Sequence, residues 1–455
     1  SVGSALRKLL AAIVGAGHVN TDPDVLSARS VDWTGRYRGR AGALIRPGST
    51  EEVAAVLRTC RDAGAYVTIQ GGRTSLVAGT VPEHDDVLLS VERLTDIGAV
   101  DAEERSIRMG AGVTLSSAQH AAGAAGLLVG VDLTARDSAT IGGMVATNAG
   151  GLRTVRYGTM GKQVLGLDVA LPDGSVLRRN SAVRSDAAGY DLAALFVGAE
   201  GTLGVITAVE MRLHPRPTRR VTAVCGFADL DALVAAGRIF RRIDTIAALE
   251  LIDGRATALA AEHLGLPAPV GGAWLLLVEL AADADQTDIL ADALDTAFDA
   301  VSGGTEPAVG VDIAAQQRLW QARESLADVV GLFGPPVKFD VSLPLSAIGL
   351  FEQSSAAVIH RHAPDALPLL FGHVGEGNLH LNVLRCNPDQ ETRIYPEMME
   401  IVAAHGGNVN SEHGVGSRKR RYLKMCRTPA DIAAMRAIKN AWDPTGYLNP
   451  AVLFD

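Results

Sequence analysis

Cysteine is scarce in this chain of 455 residues: Cys60, Cys225, Cys386 and Cys426 are widely scattered and none forms a CxxC. That excludes a disulfide-built scaffold and a cysteine-rich zinc module, and it suits a reduced, cytoplasmic setting. No GxGxxG occurs, so a Rossmann site and an NAD-linked reaction lack support. No apolar run approaches a membrane span; Trp274-Leu275-Leu276-Leu277-Val278-Glu279-Leu280 is strand-sized and broken by a charge. The N-terminal stretch, with Arg7 and Lys8 beside Ala and Leu, reads as a helix rather than a signal peptide with a cleavage site. Positive charge is not in excess: 42 Lys and Arg against 51 Asp and Glu give −9, which speaks against a nucleic-acid partner held by bulk electrostatics. Internal repeats and low-complexity tracts are lacking too.

Glycine is what the chain has in number, 49 residues, and its clustering carries the information. The length suits two or three domains. Residues 1–30 read as helix and connector. Ala43-Leu44-Ile45-Arg46-Pro47 is a short strand stopped by proline, and Ser49 or Thr50 can cap a helix that ends at Ala63-Gly64. The strand Tyr66 to Gln70 runs into Gly71-Gly72-Arg73-Thr74-Ser75, which is either an anion cradle of exposed N–H groups or a plain tight turn. A denser cluster, Ala139 to Gly151, is built of small residues. It either lets backbone approach a flat ligand, with Thr140, Thr147 and Asn148 as polar contacts, or is a tightly packed core crossing. A third runs from Val197 to Thr207. Pro215-Arg216-Pro217 looks like a domain boundary, and residues 218–365 alternate strands with helices at 229–241, 285–300 and 312–330. A further helix is expected at 392–405.

The stretch from Gly372 to Val383 holds two histidines seven residues apart. If Glu376 and Gly377 form a two-residue hairpin loop, His373 and His380 pair directly across the strands. Leu379, Leu381 and Val383 then alternate with His380 and Asn382, one face apolar and one polar. Two imidazoles on a polar face make either a divalent-metal site that lacks a carboxylate or a pair of surface histidines.

The glycine clusters, this hairpin and Ser411-Glu412-His413-Gly414-Val415-Gly416 together resemble the FAD-linked oxidases of the vanillyl-alcohol-oxidase/PCMH superfamily, most closely the D-2-hydroxy-acid dehydrogenase branch. The resemblance runs from Pro47 to Pro450. It implies an α+β fold: a PCMH-type FAD-binding domain of two α+β subdomains over 1–217, and an α+β cap or substrate domain on an antiparallel sheet over 218–410. Residues 411–455 would close the active site and return to the FAD domain. The implied flavin contacts are Pro47, Gly71, Gly72, Arg73, Thr74, Ser75, Asp132, Thr140, Gly142, Gly143, Ala146, Thr147, Asn148, Gly151, Tyr157, Glu200, Gly201, Ile206 and Asn449. Arg73 stands where some superfamily members carry a flavin-linking histidine, so FAD is expected to be non-covalent. His373, His380 and Glu412 match the family's zinc ligands.

The resemblance implies an enzyme that chelates an α-hydroxy acid, with zinc as Lewis acid. His413 is the expected general base, its alternatives being a satisfied core histidine or a fourth metal ligand. The α-hydrogen would leave as hydride to flavin N5, with Asn382 hydrogen-bonding the substrate. Val337-Lys338-Phe339-Asp340 resembles the D-2-hydroxyglutarate dehydrogenase subgroup, with Arg323 and Lys338 holding the distal carboxylate; two buried cations without an anion would disfavour a monocarboxylate. Arg323 could instead pair with Glu324 or Asp328 on a helix surface. Ala327 departs from the subgroup's threonine, which costs a hydroxyl contact or widens the pocket for D-malate. D-lactate or glycolate oxidation is the runner-up within enzymes, and a non-catalytic flavoprotein subunit of an oxidase complex is the alternative outside them. Electron-transfer flavoprotein, a quinone or another carrier are all open as the acceptor, as is a homodimer. Arg418-Lys419-Arg420-Arg421 reads as a solvated face or a docking site for that acceptor.

Overall fold

The computed structural model describes residues 2–179 and 183–455, and the chain falls into two compact units. The first comprises Ser1–Gly150, Gly158–Arg216 and Glu412–Asp455; the second comprises Gly151–Tyr157 and Pro217–Ser411.

In the first unit Ser49 caps the helix Thr50–Asp62 by accepting from Glu52 N at 3.1 Å, and Val53, Val56, Leu57 and Cys60 form its buried stripe. A four-stranded sheet contains β1 (Val19–Asn20), β2 (Ala41–Ile45), β3 (Val67–Gln70) and β4 (Asp86–Ser90) in the order β1-β2-β4-β3. β2, β4 and β3 pair in parallel, and β2 and β4 are buried throughout, which suits the apolar Ala41–Ile45 and the apolar centre Val87-Leu88-Leu89. The second sheet holds β5 (Ser106–Gly110), β6 (Leu127–Val129), β7 (Val164–Ala170), β8 (Val176–Arg179) and β9 (Val205–Pro215), with the path β5-β9-β7-β8 and β6 on the end of β9. The C-terminal segment is tied in beside β3: Val67 N donates to Tyr447 O and Asn449 N to Val67 O.

The second unit is one antiparallel sheet of β10 (Arg219–Phe227), β11 (Ile246–Asp253), β12 (Trp274–Ala282), β13 (Ala308–Gly310), β14 (Val337–Ser342), β15 (Leu367–His373) and β16 (Asn378–Leu384), ordered β13-β10-β12-β11-β15-β16-β14. Its register sorts the side chains. One face carries Thr222 opposite Glu279, Glu250 opposite Leu277, Phe371 opposite His380, Asp340 opposite His380 and Lys338 opposite Asn382. Val224, Ile252, Leu275, Leu277, Leu369 and Phe371 fill the rest of that face and pack with Leu319 and Trp320 of the helix Ile313–Glu324. The helices Leu230–Phe240 and Ile348–His362 also contact strands of this sheet.

The α+β class and the antiparallel cap-type sheet agree with the sequence. Two helices differ. The expected 312–330 helix breaks at Ser325 into Ile313–Glu324 and Leu326–Val329. The helix expected at 392–405 starts earlier, at Pro388, because Asn387 and Gln390 form a capping box and proline suits the first helical position. Among the described residues no helix is long and apolar enough to cross a membrane.

Candidate active site

The three glycine clusters meet in the first unit. A Cβ on Gly72 would lie 1.9 Å from Ser138 O, so only glycine lets the loop after β3 press against the backbone that leads into the second cluster. Thr140 caps the short helix Ile141–Thr147 through Gly143 N, and Asn148 ends it in the left-handed conformation. The third cluster joins by Glu200 N to Ala146 O (2.8 Å) and Gly198 N to Val145 O (3.1 Å). Asn449 stitches the assembly, accepting from Ile69 N at 2.8 Å and donating to Glu200 O at 2.8 Å. Arg73 sits in the loop with φ of 55°, and burial with Arg29 nearby lowers the proton affinity of its guanidinium. Ile206 lies buried on β9 and Pro47 just after β2, while Gly142 is packed against Ala111. Asp132 is already engaged by Gln119 (2.9 Å) and Arg136 (3.1 Å). Gly151 and Tyr157 lie in the other unit, on the segment Gly151–Tyr157.

The Glu412-His413 stretch also lies in the first unit. Glu412 Oε1 stands 3.5 Å from His413 Nε2. Two residues further on, the Glu200 carboxylate accepts from Val415 N (3.1 Å) and Gly416 N (2.8 Å). Burial raises the Glu200 carboxyl, outweighing these two donors and the charge of Lys419, which act the other way. The basic run beyond is a solvated face only at Arg421. Lys419 is buried, Arg420 pairs with Glu83 and Asp455 and donates to Ala451 O, and Arg418 lies over the Tyr37 ring. Folding Arg418, Lys419 and Arg420 against their own chain uses most of the run's charge internally.

In the second unit the polar face of the sheet gathers the histidines and the cations. The two-residue loop is corrected: Val374–Glu376 form a 3-10 turn closed by Gly377 N donating to Val374 O, and Gly377 is left-handed at φ 71°. A Cβ there would meet Leu343 O at 2.0 Å. The connection is therefore four residues, which sets His373 opposite Asn378 and His380 opposite Phe371. The imidazoles still converge diagonally. Their Nε2 atoms are 3.5 Å apart, with ring planes at 88°. Two nitrogens each about 2.05 Å from one ion at a tetrahedral angle stand about 3.4 Å apart, so the pair fits a shared divalent metal. The far nitrogens have carboxylate neighbours: His373 Nδ1 lies 2.7 Å from Glu250 Oε1, and His380 Nδ1 lies 3.4 Å from Asp340 Oδ1. His373 is 5% exposed and Asp340 4%, so neither imidazole belongs to a loose surface pair.

Arg323 is not on a helix surface either. Its Nε donates to Glu250 Oε2 at 2.7 Å, and its guanidinium lies 5.0 Å over the Phe371 ring. Burial would raise the Glu250 carboxyl, but His373 and Arg323 prevail and hold it below the usual range. Lys338 and buried Asn382 face each other on β14 and β16. Glu250 and Asp340 escaped the reading of the sequence. The available signal was a carboxylate inside an apolar strand, as in Ala247-Ala248-Leu249-Glu250-Leu251-Ile252, because charge is buried there only when paired. Glu279 shows the same signal on β12, and it pairs with Arg153 and Arg220 and accepts from Trp320 Nε1 at 2.8 Å.

Comparison with known proteins adds to this geometry. The family described as FAD linked oxidases, C-terminal domain, matches residues 216–453, and the FAD binding domain matches residues 41–180. The chain is 36% identical over 446 residues to the mitochondrial D-2-hydroxyglutarate dehydrogenase of Bos taurus, covering 95% of this chain and 80% of the relative. It is 32% identical to the D-2-hydroxyglutarate dehydrogenase of Stutzerimonas stutzeri over 99% of both chains. Among solved structures, p-cresol methylhydroxylase matches with a TM-score of 0.80 at 17% identity, covering 99% of this chain and 96% of that one, a likeness of fold.

Proposed function

Since the chain belongs to the FAD-linked oxidases, an oxidoreductase family, and carries their FAD-binding domain, we propose that it oxidises D-2-hydroxyglutarate to 2-oxoglutarate. The observation that carries the substrate reading is the single sheet face on which His373, His380, Asn382 and Lys338 stand, with Arg323 tied to Glu250 on the same face. When bound, FAD supplies the two-electron acceptor and zinc a Lewis acid for the α-hydroxyl and carboxylate oxygens.

His373 and His380 present Nε2 atoms at a spacing suited to one ion, and Glu412 completes the proposed ligand set. His413 takes the hydroxyl proton as general base. Asn382 donates to the substrate, and Arg323 and Lys338 hold its distal carboxylate. The glycine clusters supply backbone N–H groups and close approach for a non-covalent flavin, and Asn449 braces them from the C-terminal segment. Residues 1–217 are assigned to flavin, 218–410 to substrate, and 411–455 to a segment that returns to the flavin domain. Four free cysteines suit a reducing compartment such as the cytoplasm. An electron-transfer flavoprotein or a quinone would reoxidise the flavin.

A panel of D- and L-2-hydroxy acids, read by bleaching of the flavin absorbance, tests the proposal. Fastest bleaching by D-2-hydroxyglutarate is the expected result. Faster bleaching by D-lactate or glycolate would move the assignment to the monocarboxylate enzymes, and by D-malate to a shorter diacid. No bleaching by any of them would favour a non-catalytic flavoprotein. Exhaustive chelation that leaves the rate intact and releases no metal would remove zinc from the reading.

A further inference from the structure

Glu250 lies outside the motifs that carry the family resemblance, yet it touches both halves of the proposed site. Its two carboxylate oxygens are divided: Oε1 meets His373 Nδ1 and Oε2 meets Arg323 Nε, each at 2.7 Å. Glu250 itself is 1% exposed and sits on β11, an interior strand of the sheet, so its side chain has little freedom to swing between partners. We infer that Glu250 is a positioning residue that sets the tautomer of His373 and the direction of Arg323 together. The inference rests on the reading of this face as a metal-assisted hydroxy-acid site.

The chemistry runs through the two contacts. A carboxylate accepts only, so His373 must carry its proton on Nδ1, which leaves the Nε2 lone pair turned toward His380. The same carboxylate holds one edge of the Arg323 fork, while the ring of Phe371 lies under the guanidinium. The terminal nitrogens are then pre-aimed for a carboxylate. Because Phe371 also stands across from His380, the guanidinium, the aromatic ring and both imidazoles form one packed set. Glu250 thus links the end of the substrate that reacts with the end that is recognised.

Glu250→Gln tests this in the full-length protein with FAD bound. Three quantities are read: zinc affinity by chelator competition, the tautomer of His373 from the spectrum of ¹⁵N-histidine-labelled protein without metal, and kcat/KM for D-2-hydroxyglutarate against D-lactate. Zinc affinity is expected to fall about 10- to 100-fold. The His373 signal should leave the pure Nδ1–H form, and the diacid should lose more kcat/KM than the monoacid because Arg323 is released as well. If the glutamine variant does not fold, Glu250→Asp, with its carboxylate withdrawn by one methylene, is held to the same three outcomes. Unchanged zinc affinity and tautomer in a variant whose flavin spectrum is native would overturn the inference, provided His373→Ala abolishes zinc binding. If His373→Ala leaves zinc binding unchanged too, the metal reading itself fails and takes the inference with it.

Discussion

Lys338 stands directly opposite Asn382 across the β14–β16 pair, two residues along from the opposed Asp340 and His380. This ladder puts a cation and an amide on the face that holds the histidines. Arg323 is paired with Glu250 on this same face. The proposed hold on a second substrate carboxylate is shared by Arg323 and Lys338. Lys338→Met is expected to lower kcat/KM for D-2-hydroxyglutarate about 10- to 100-fold, the worth of one charge-assisted hydrogen bond, while D-lactate changes little. Equal losses for both substrates would separate Lys338 from the distal carboxylate.

Ala327 lies four residues after Arg323, on the short helix Leu326–Val329 beyond the break at Ser325. Its position is solvent-exposed, so a larger side chain meets no packed core there. Ala327→Thr should raise kcat/KM for D-2-hydroxyglutarate about fivefold, the equivalent of roughly 1 kcal/mol from one hydroxyl contact. Steady-state comparison with D-malate completes the test: a gain for D-malate instead would mean that the alanine position favours the longer diacid.

How much of this was legible depends on sequence distance. The Ser49-capped helix and the strand into Gly71-Gly72 stem from local chemistry and formed as read, whereas the helix Ile141–Thr147 inside the second small-residue cluster was not anticipated. The hairpin was legible as a motif but not in register, because the choice between two and four loop residues hangs on Gly377 meeting the Leu343 carbonyl, a contact from another part of the chain. Glu250 pairs with His373 from 123 residues away, and no spacing rule reaches that far. What the sequence did hold was the anomaly of a carboxylate in an apolar strand.

The pH dependence of stability should show Glu200. Burial raises its carboxyl above the ordinary value near 4.5. A raised acid is favoured in its protonated form when folded, so its contribution is complete below the unfolded value and is lost as pH rises through the folded one. Relative to Glu200→Gln, whose side chain does not titrate, the wild type is expected to lose melting temperature from about pH 4 upward and then level off. Thermal melts of both proteins across that range decide it. A difference that grows in favour of the wild type with rising pH contradicts the assignment.

Lys439 closes the C-terminal segment. Its ammonium donates to Asp443 Oδ2 at 2.6 Å, to Thr202 O at 2.8 Å and to Leu448 O at 2.9 Å, so one cation ties the helix Pro429–Trp442 to the third glycine cluster and to the residue before Asn449. Asp443 is 1% exposed and keeps only backbone and hydroxyl donors if the ammonium is removed. Lys439→Met should therefore cost about 3–5 kcal/mol in denaturant unfolding, the usual loss when one member of a buried pair is deleted. FAD should also dissociate more readily, because Asn449 loses the support that holds it against Glu200 and Ile69. Adding Asp443→Asn to the same protein removes the stranded charge and should recover at least part of the loss. If the double variant is instead as unstable as the sum of the two single ones, the stability at this end comes from packing, such as Trp442 stacked on Phe196, and not from the ion pair.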